Sequence, residues 1–170
     1  TNALFVLVIL SIPLIAMQYT QEVNWSFGDF LVAAFILFTS MSLIGALHNY
    51  SNNLYYRLAS SISVLTAVLL VWINLAVGII GSAVNTANLL FYSVPLVLIA
   101  GLTVTKGNAN GLGKTLISAA SAQVVSTCIA YFIFPASQTI ELLFCLIFTA
   151  LLLIAAKLYF MSAQRPVNWA

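Results

Sequence analysis

The stretch Leu70-Val-Trp-Ile-Asn-Leu-Ala-Val-Gly-Ile-Ile-Gly-Ser82 is apolar enough to sit in lipid, yet Asn74, Gly78 and Gly81 are set into it at helical spacing. Extended back to Leu58 it carries no charged side chain, and at about 1.5 Å per residue it is long enough to cross a hydrocarbon layer of about 30 Å. The whole chain agrees with this segment. Of 170 residues, 63% are hydrophobic and 5% charged, against about 45–50% apolar and about 25% charged in a soluble domain. So few charges cannot cover a water-soluble fold. The chain reads as an integral membrane protein whose apolar runs cross as helices, because each backbone N–H and C=O in lipid must be bonded within its own segment. Alternation of polar and apolar residues is absent, which argues against a β-barrel.

Six spans follow, at about residues 3–18, 30–47, 58–82, 89–105, 115–134 and 140–160, giving an all-α bundle that forms a single transmembrane domain over 1–170. Pro13 falls inside the first span, where it kinks the helix or frees a carbonyl. This span is expected to be a retained helix rather than a signal peptide, because no basic region precedes it and no small-residue cleavage pattern follows. Thr1 is not an initiating residue, so some N-terminal sequence is expected to be missing. The basic residues Arg57, Lys106, Lys114, Lys157 and Arg165 all fall on one side of a six-span topology, which the positive-inside rule makes cytoplasmic, with both termini inside. Glu22, Asp29 and Glu141 all fall on the other side. The five basic residues are read as cytoplasmic anchors, with Lys106 and Lys114 among anionic head groups. Trp25, Tyr19, Tyr50, Tyr55, Tyr56 and Tyr159 are read as interfacial belts.

On the third span Ser60, Ser63, Ala67, Asn74, Gly78 and Gly81 fall within about 40° of one line at about 100° per residue, and Trp72 points away. Small residues in a stripe let another helix approach closely, and an amide there can bond across the gap. Ala119, Gln123, Thr127 and Ala130 make a similar face on the fifth span. The plainer reading of Asn74 and Gln123 is interhelical glue; the sharper one is a polar cavity for a substrate or a quinone head group. Asp29, Asn88 and Glu141 each open a span from the outer side and are read as helix caps.

The remaining signals exclude more than they assign. One histidine, His48, rules out a haem held by two histidines of this chain, and Cys128 with Cys145 fits no metal spacing. Gly111-Leu-Gly-Lys-Thr115 lacks the first glycine of a phosphate-binding loop, whose place Asn108 takes, and the preceding strand as well. No charged residue sits mid-membrane, as ion pumping normally requires, and a net charge of +2 is too small to point to nucleic acid. No nucleotide, cofactor or metal is expected, and no catalytic residue stands out.

The strings Glu22-Val-Asn-Trp-Ser-Phe-Gly-Asp-Phe30, Leu70 to Ser82 and Asn85-Thr-Ala-Asn-Leu89 together resemble an uncharacterised family of small polytopic inner-membrane proteins of bacteria. The resemblance covers about the first two-thirds of the chain. It implies a multi-pass protein of the bacterial cytoplasmic membrane and supplies no activity. In that family the turn after the third helix commonly carries acids and a proline, where this chain has Ala83, Val84 and Thr86. The expectation is a non-catalytic protein packing beside other membrane subunits. The alternatives are a small oligomeric transporter or channel using the Asn74 and Gln123 faces, and a quinone-, lipid- or pigment-associated protein.

Overall fold

Apolar runs of this length have one stable outcome in lipid, the helix, and a computed structural model of the chain, which describes residues 2–20, 23–133 and 139–164, shows helices and no strand among them. They are α1 (Asn2–Tyr19), α2 (Phe27–Tyr50), α3 (Leu54–Ala76), a 3-10 helix (Thr86–Tyr92) that runs on into α4 (Ser93–Thr105), α5 (Ala109–Ile133) and α6 (Thr139–Gln164). Six segments among the described residues are long and apolar enough to cross a membrane, the fourth being Thr86–Thr105 taken as one. The protein is a multi-pass membrane protein. Glu22, Arg165, Trp169 and the turn expected around Pro135 lie outside the described residues.

The helix starts are set by side-chain caps that lie upstream of the hydrophobic runs. Ser26 and Asp29 form a reciprocal box: Ser26 N–H donates to Asp29 Oδ2 at 2.7 Å, and Asp29 N–H returns to Ser26 Oγ at 3.3 Å. Asp29 is thus the third residue of α2, and Ser26 is the cap. Asn53 Oδ1 accepts from Tyr55 and Tyr56 N–H and begins α3. Asn108 Oδ1 accepts from Gly111 N–H and begins α5, which places Gly111-Leu-Gly-Lys-Thr115 inside a helix.

Contacts divide the chain into two compact units, residues 1–46 and 47–170. The first unit holds α1 and all but the last turn of α2. The second is a four-helix bundle in which α6 packs between α3 and α5, and α5 packs between α6 and α4. Its core is lined by Tyr56, Ala59, Ser60, Leu70 and Asn74 of α3, by Leu116, Ala119, Gln123 and Ala130 of α5, and by Leu152, Ala155 and Tyr159 of α6. The short side chains do the work expected of them in lipid, where close backbone approach replaces hydrophobic driving force. A Cβ on Gly101 would overlap the Thr115 side chain of α5, and one on Gly113 would meet the Phe160 ring at 2.7 Å. These two glycines permit the α4–α5 and α5–α6 crossings.

One end of this bundle is tied by polar and aromatic groups. Tyr56 O–H donates to Gly107 O at 2.8 Å, joining the start of α3 to the α4–α5 turn. The Tyr159 hydroxyl of α6 lies 2.9 Å from Ser60 Oγ, and its ring meets Tyr56 edge-on at 5.1 Å. Tyr56 and Tyr159 are buried, so they belong to the core and not to an interfacial belt. Arg57, Lys106, Lys114 and Lys157 gather at this end, the three lysines exposed. Arg57 is engaged: its guanidinium donates to the carbonyls of His48 and Ser51 and to Asn52 Oδ1. It clamps the α2–α3 turn.

Gly101→Ala is expected to lower stability by about 1–3 kcal/mol through overpacking, measured by denaturant unfolding in detergent micelles. Thr115→Gly in the same chain should recover most of that loss, whereas a loss unaffected by Thr115 would place the close approach elsewhere.

Candidate functional site

The opening segment does not form one helix to Ser82. α3 stops at Ala76, where Val77 and Gly78 N–H both donate to Ile73 O, at 3.0 and 2.9 Å. Gly78 then takes a φ of 80° and Gly81 a φ of 67°, left-handed values that glycine adopts without penalty. A Cβ on Gly78 would lie 2.6 Å from the Ser82 carbonyl carbon. The stripe of Asn74, Gly78 and Gly81 expected on one helical face is therefore a helix end followed by a turn. The helical spacing was real but the two glycines are turn residues, because φ near +70° to +80° is closed to the helix itself.

Asn88 holds that turn. Its Oδ1 accepts from Ile79 and Ile80 N–H, both at 2.8 Å, and its Nδ2 donates to Ser82 O at 2.7 Å and Ile80 O at 3.3 Å. The residue is 3% exposed. It had been expected as an outer helix cap. The cap of the 3-10 helix is instead Asn85, whose Oδ1 accepts from Ala87 N–H at 2.9 Å. Asn74 closes the arrangement from α3, its Nδ2 donating to Asn88 O at 2.9 Å. From α6, Glu141 Oε1 accepts from Gly81 N–H at 2.7 Å. Glu141 is a tie between α6 and the turn and not simply a solvated cap.

Beside this latch lies a cavity of about 220 Å³, whose lining includes Asn74, Asn85, Thr86, Asn88, Leu89 and Tyr92. Asn74 Oδ1 is buried and has no hydrogen-bond partner. Gln123 does not join it. It is fully buried on α5, with neither amide atom hydrogen-bonded, and starts about 9 Å lower along the bundle by helical rise from the two helix starts. α3 and α5 run in the same direction from the tied end, so the structure keeps the two amides in separate layers. Below the latch, the junction of the 3-10 helix with α4 is met from α5: Ser126 Oγ donates to Leu90 O at 3.0 Å, near where Pro95 supplies no N–H.

Sequence reasoning missed Asn85, Thr86 and Tyr92 as cavity walls and the inward role of Asn88. A signal was present. Two glycines followed by Asn85-Thr-Ala-Asn88 is a turn-rich composition between apolar runs, and asparagine side chains there bond to nearby backbone.

Asn88→Leu removes bonds to four backbone groups and is expected to destabilise the protein by about 2–4 kcal/mol, with cleavage by added protease appearing within residues 77–85. Glu141→Gln keeps an acceptor for Gly81 N–H and should stay within about 0.5 kcal/mol of the parent, while Glu141→Ala should lose about 1–2 kcal/mol; equal losses in both would mean that charge, not the bond, is what matters. Comparison of the chain with protein-family models, with curated proteins and with solved structures finds no match in any of the three.

Proposed function

We propose that the chain is a non-catalytic subunit of a larger assembly in a bacterial cytoplasmic membrane, contacting its partners through α1 and α2. The observation that carries this reading is how little the first unit buries. Among its described residues only Val6 and Ala33 are buried. Leu4, Phe5, Leu7, Val8, Ile12 and Leu14 are exposed along one broad face of α1, an apolar surface left for lipid or for another membrane helix. Around Gly45 of α2 there is no atom within 4 Å of where a Cβ would stand, room that lets another membrane helix approach. The resemblance to small bacterial inner-membrane proteins supports the location.

The polar side chains with chemical capacity support a structural role. Asn88 and Glu141 hold backbone N–H groups, Arg57 holds carbonyls, and His48 Nε2 lies 3.0 Å from Ser61 Oγ and 3.1 Å from Arg57 O. Each serves the fold. A transport reading draws on one observation, the unbonded Gln123 amide inside the bundle. Gln123→Leu separates the two: a subunit keeps its assembly and its stability, whereas a carrier loses flux in proteoliposomes.

Mild solubilisation and native-gel separation should recover the protein in a particle several times its own 18.3 kDa, with photo-crosslinker at Gly45 reaching a different chain. Recovery as a free monomer, with Gly45 crosslinking only to lipid, would sink the subunit reading. With the basic end in the cytoplasm, a cysteine at Lys106 or Lys114 should resist a membrane-impermeant thiol reagent in intact cells, and one at Val84 should react.

A further inference from the structure

We propose that the outward face of α5, between α4 and α6, holds one anionic phospholipid, its phosphate at Lys114 and Lys157 and an acyl chain along the helix. The pairing of the two lysines follows from how α5 meets its neighbours. Gly113 stands against the Phe160 ring and Gln123 faces Cys145 further along, so α5 and α6 run antiparallel. Lys114 lies about 100° round α5 from Gly113, which touches α6, and about 100° from Thr115, which touches α4. Lys157 lies about 60° round α6 from Phe160, in the same rotational sense as Lys114 from Gly113. On antiparallel neighbours, equal senses of rotation open onto the same side. By helical rise the two lysines differ in height by only about 3 Å.

Both lysines are exposed, and neither has an ion pair or hydrogen bond among the described residues. Glu141, the acid of the same bundle among those residues, opens α6 about 24 Å of helix away from Lys157. Lys114 stands about 7.5 Å inside the start of α5, within a segment long and apolar enough to cross a membrane. Its stem therefore runs along lipid while its ammonium reaches back to head-group level. The anion that meets two ammonium groups at that height is a lipid phosphate. A zwitterionic head group carries a cation of its own, which the pair repels.

The surface beyond the lysines suits the rest of such a lipid. Ser118, Ser121, Val125 and Cys128 lie within about 40° of a line through Lys114 and are all exposed. They run about 21 Å along α5, more than the depth of one leaflet, about 15 Å. Ser118 Oγ donates to Lys114 O and Ser121 Oγ to Ile117 O, so the two hydroxyls are spent on their own helix and an acyl chain meets no unmet polar group. Leu146 and Leu153 of α6, on the same side as Lys157, and Val104 of α4 stand exposed as the longer walls of this shallow trough. The trough involves α4, α5 and α6, whereas the subunit reading rests on α1 and α2.

Native mass spectrometry of the purified protein in detergent, titrated with equal amounts of dioleoyl phosphatidylglycerol and dioleoyl phosphatidylcholine, reads this site. One phosphatidylglycerol per chain should be retained, saturably and at least tenfold over phosphatidylcholine. Lys114→Gln should weaken retention at least fivefold with the melting temperature of the lipid-free protein unchanged, because the side chain has no partner to lose. Lys106→Gln removes the same charge from the same end, at the α4–α5 turn, and should stay within twofold of the parent. Ser121→Trp fills the trough without altering a charge and should weaken retention at least fivefold. In native membranes a photo-crosslinker at Ser121 should label lipid. Equal retention of the two lipids, a loss in Lys106→Gln as large as in Lys114→Gln, unchanged retention in Ser121→Trp, displacement by glycerol 3-phosphate, or a Ser121 crosslink to a second polypeptide would each overturn the proposal.

Discussion

A backbone that leaves the helix close to the apolar layer must still have its N–H and C=O groups bonded, because lipid offers no alternative partner. In this protein that constraint falls on residues 77–85, and the Asn88 side chain meets most of it. One amide has an acceptor with two lone pairs and two N–H donors, and all four capacities of Asn88 are used on Ile79, Ile80 and Ser82. Ile79 and Ile80 can then be buried, at 5% and 1% exposure, although their backbone is irregular. The position of Asn88 is fixed in turn by Asn74, and that of Gly81 by Glu141. Thus α3, the 3-10 helix and α6 are joined at one end through the backbone of a single turn.

The opposite end of the same unit is built on a different principle. There the ties are hydroxyls and rings, with Tyr56 reaching the Gly107 carbonyl and Tyr159 reaching Ser60. Tyr50 stacks on Tyr56 at 5.7 Å, and its ring lies where a Cβ on Gly107 would approach it to 3.2 Å. A phenol suits this place because its body packs as an apolar group while its hydroxyl can still reach a polar partner. Two polar clusters, each built from side chains of this unit, therefore hold the ends of four helices whose middles are packed through small residues.

Fold class and span count were legible because they follow from composition and from runs of about twenty apolar residues, which have one solution in lipid. The packing faces were partly legible: Ser60 and Asn74 of α3, and Ala119, Gln123 and Ala130 of α5, are buried where helical spacing put them. What spacing could not reveal was the helix end at Ala76. Gly78 and Gly81 are apolar and lie at helical intervals from Asn74, so a periodicity argument counts them as helix, whereas their φ values exclude it. The caps were legible to different degrees. Asp29 closes the box at the start of α2 with Ser26, and Glu141 lies in the first turn of α6, whereas Asn88 lies inside the 3-10 helix that Asn85 caps from upstream. The long-range partner of Glu141, sixty residues away at Gly81, leaves no mark on local sequence.

The two buried amides show how far a single rule about polar residues in membranes extends. Such residues act as glue when each half of the amide finds a partner across a helix boundary, for about 0.6–2 kcal/mol. Asn74 does this with its N–H half alone, and its partner is a backbone carbonyl of the 3-10 helix rather than another amide. Gln123 does it with neither half. The group facing it is the Cys145 thiol of α6, which also faces the Thr127 hydroxyl, and a thiol is too weak a donor or acceptor to satisfy an amide. An unmet buried amide costs about 1–3 kcal/mol, so Gln123 stabilises the α5–α6 contact by its volume and opposes it by its polarity. Asn74 is the opposite case, since removing its amide would free the backbone of the 3-10 helix and with it the position of Asn88. The same side-chain group in the same bundle is thus a structural requirement in one layer and a cost in the next, and the difference lies in what each amide can reach.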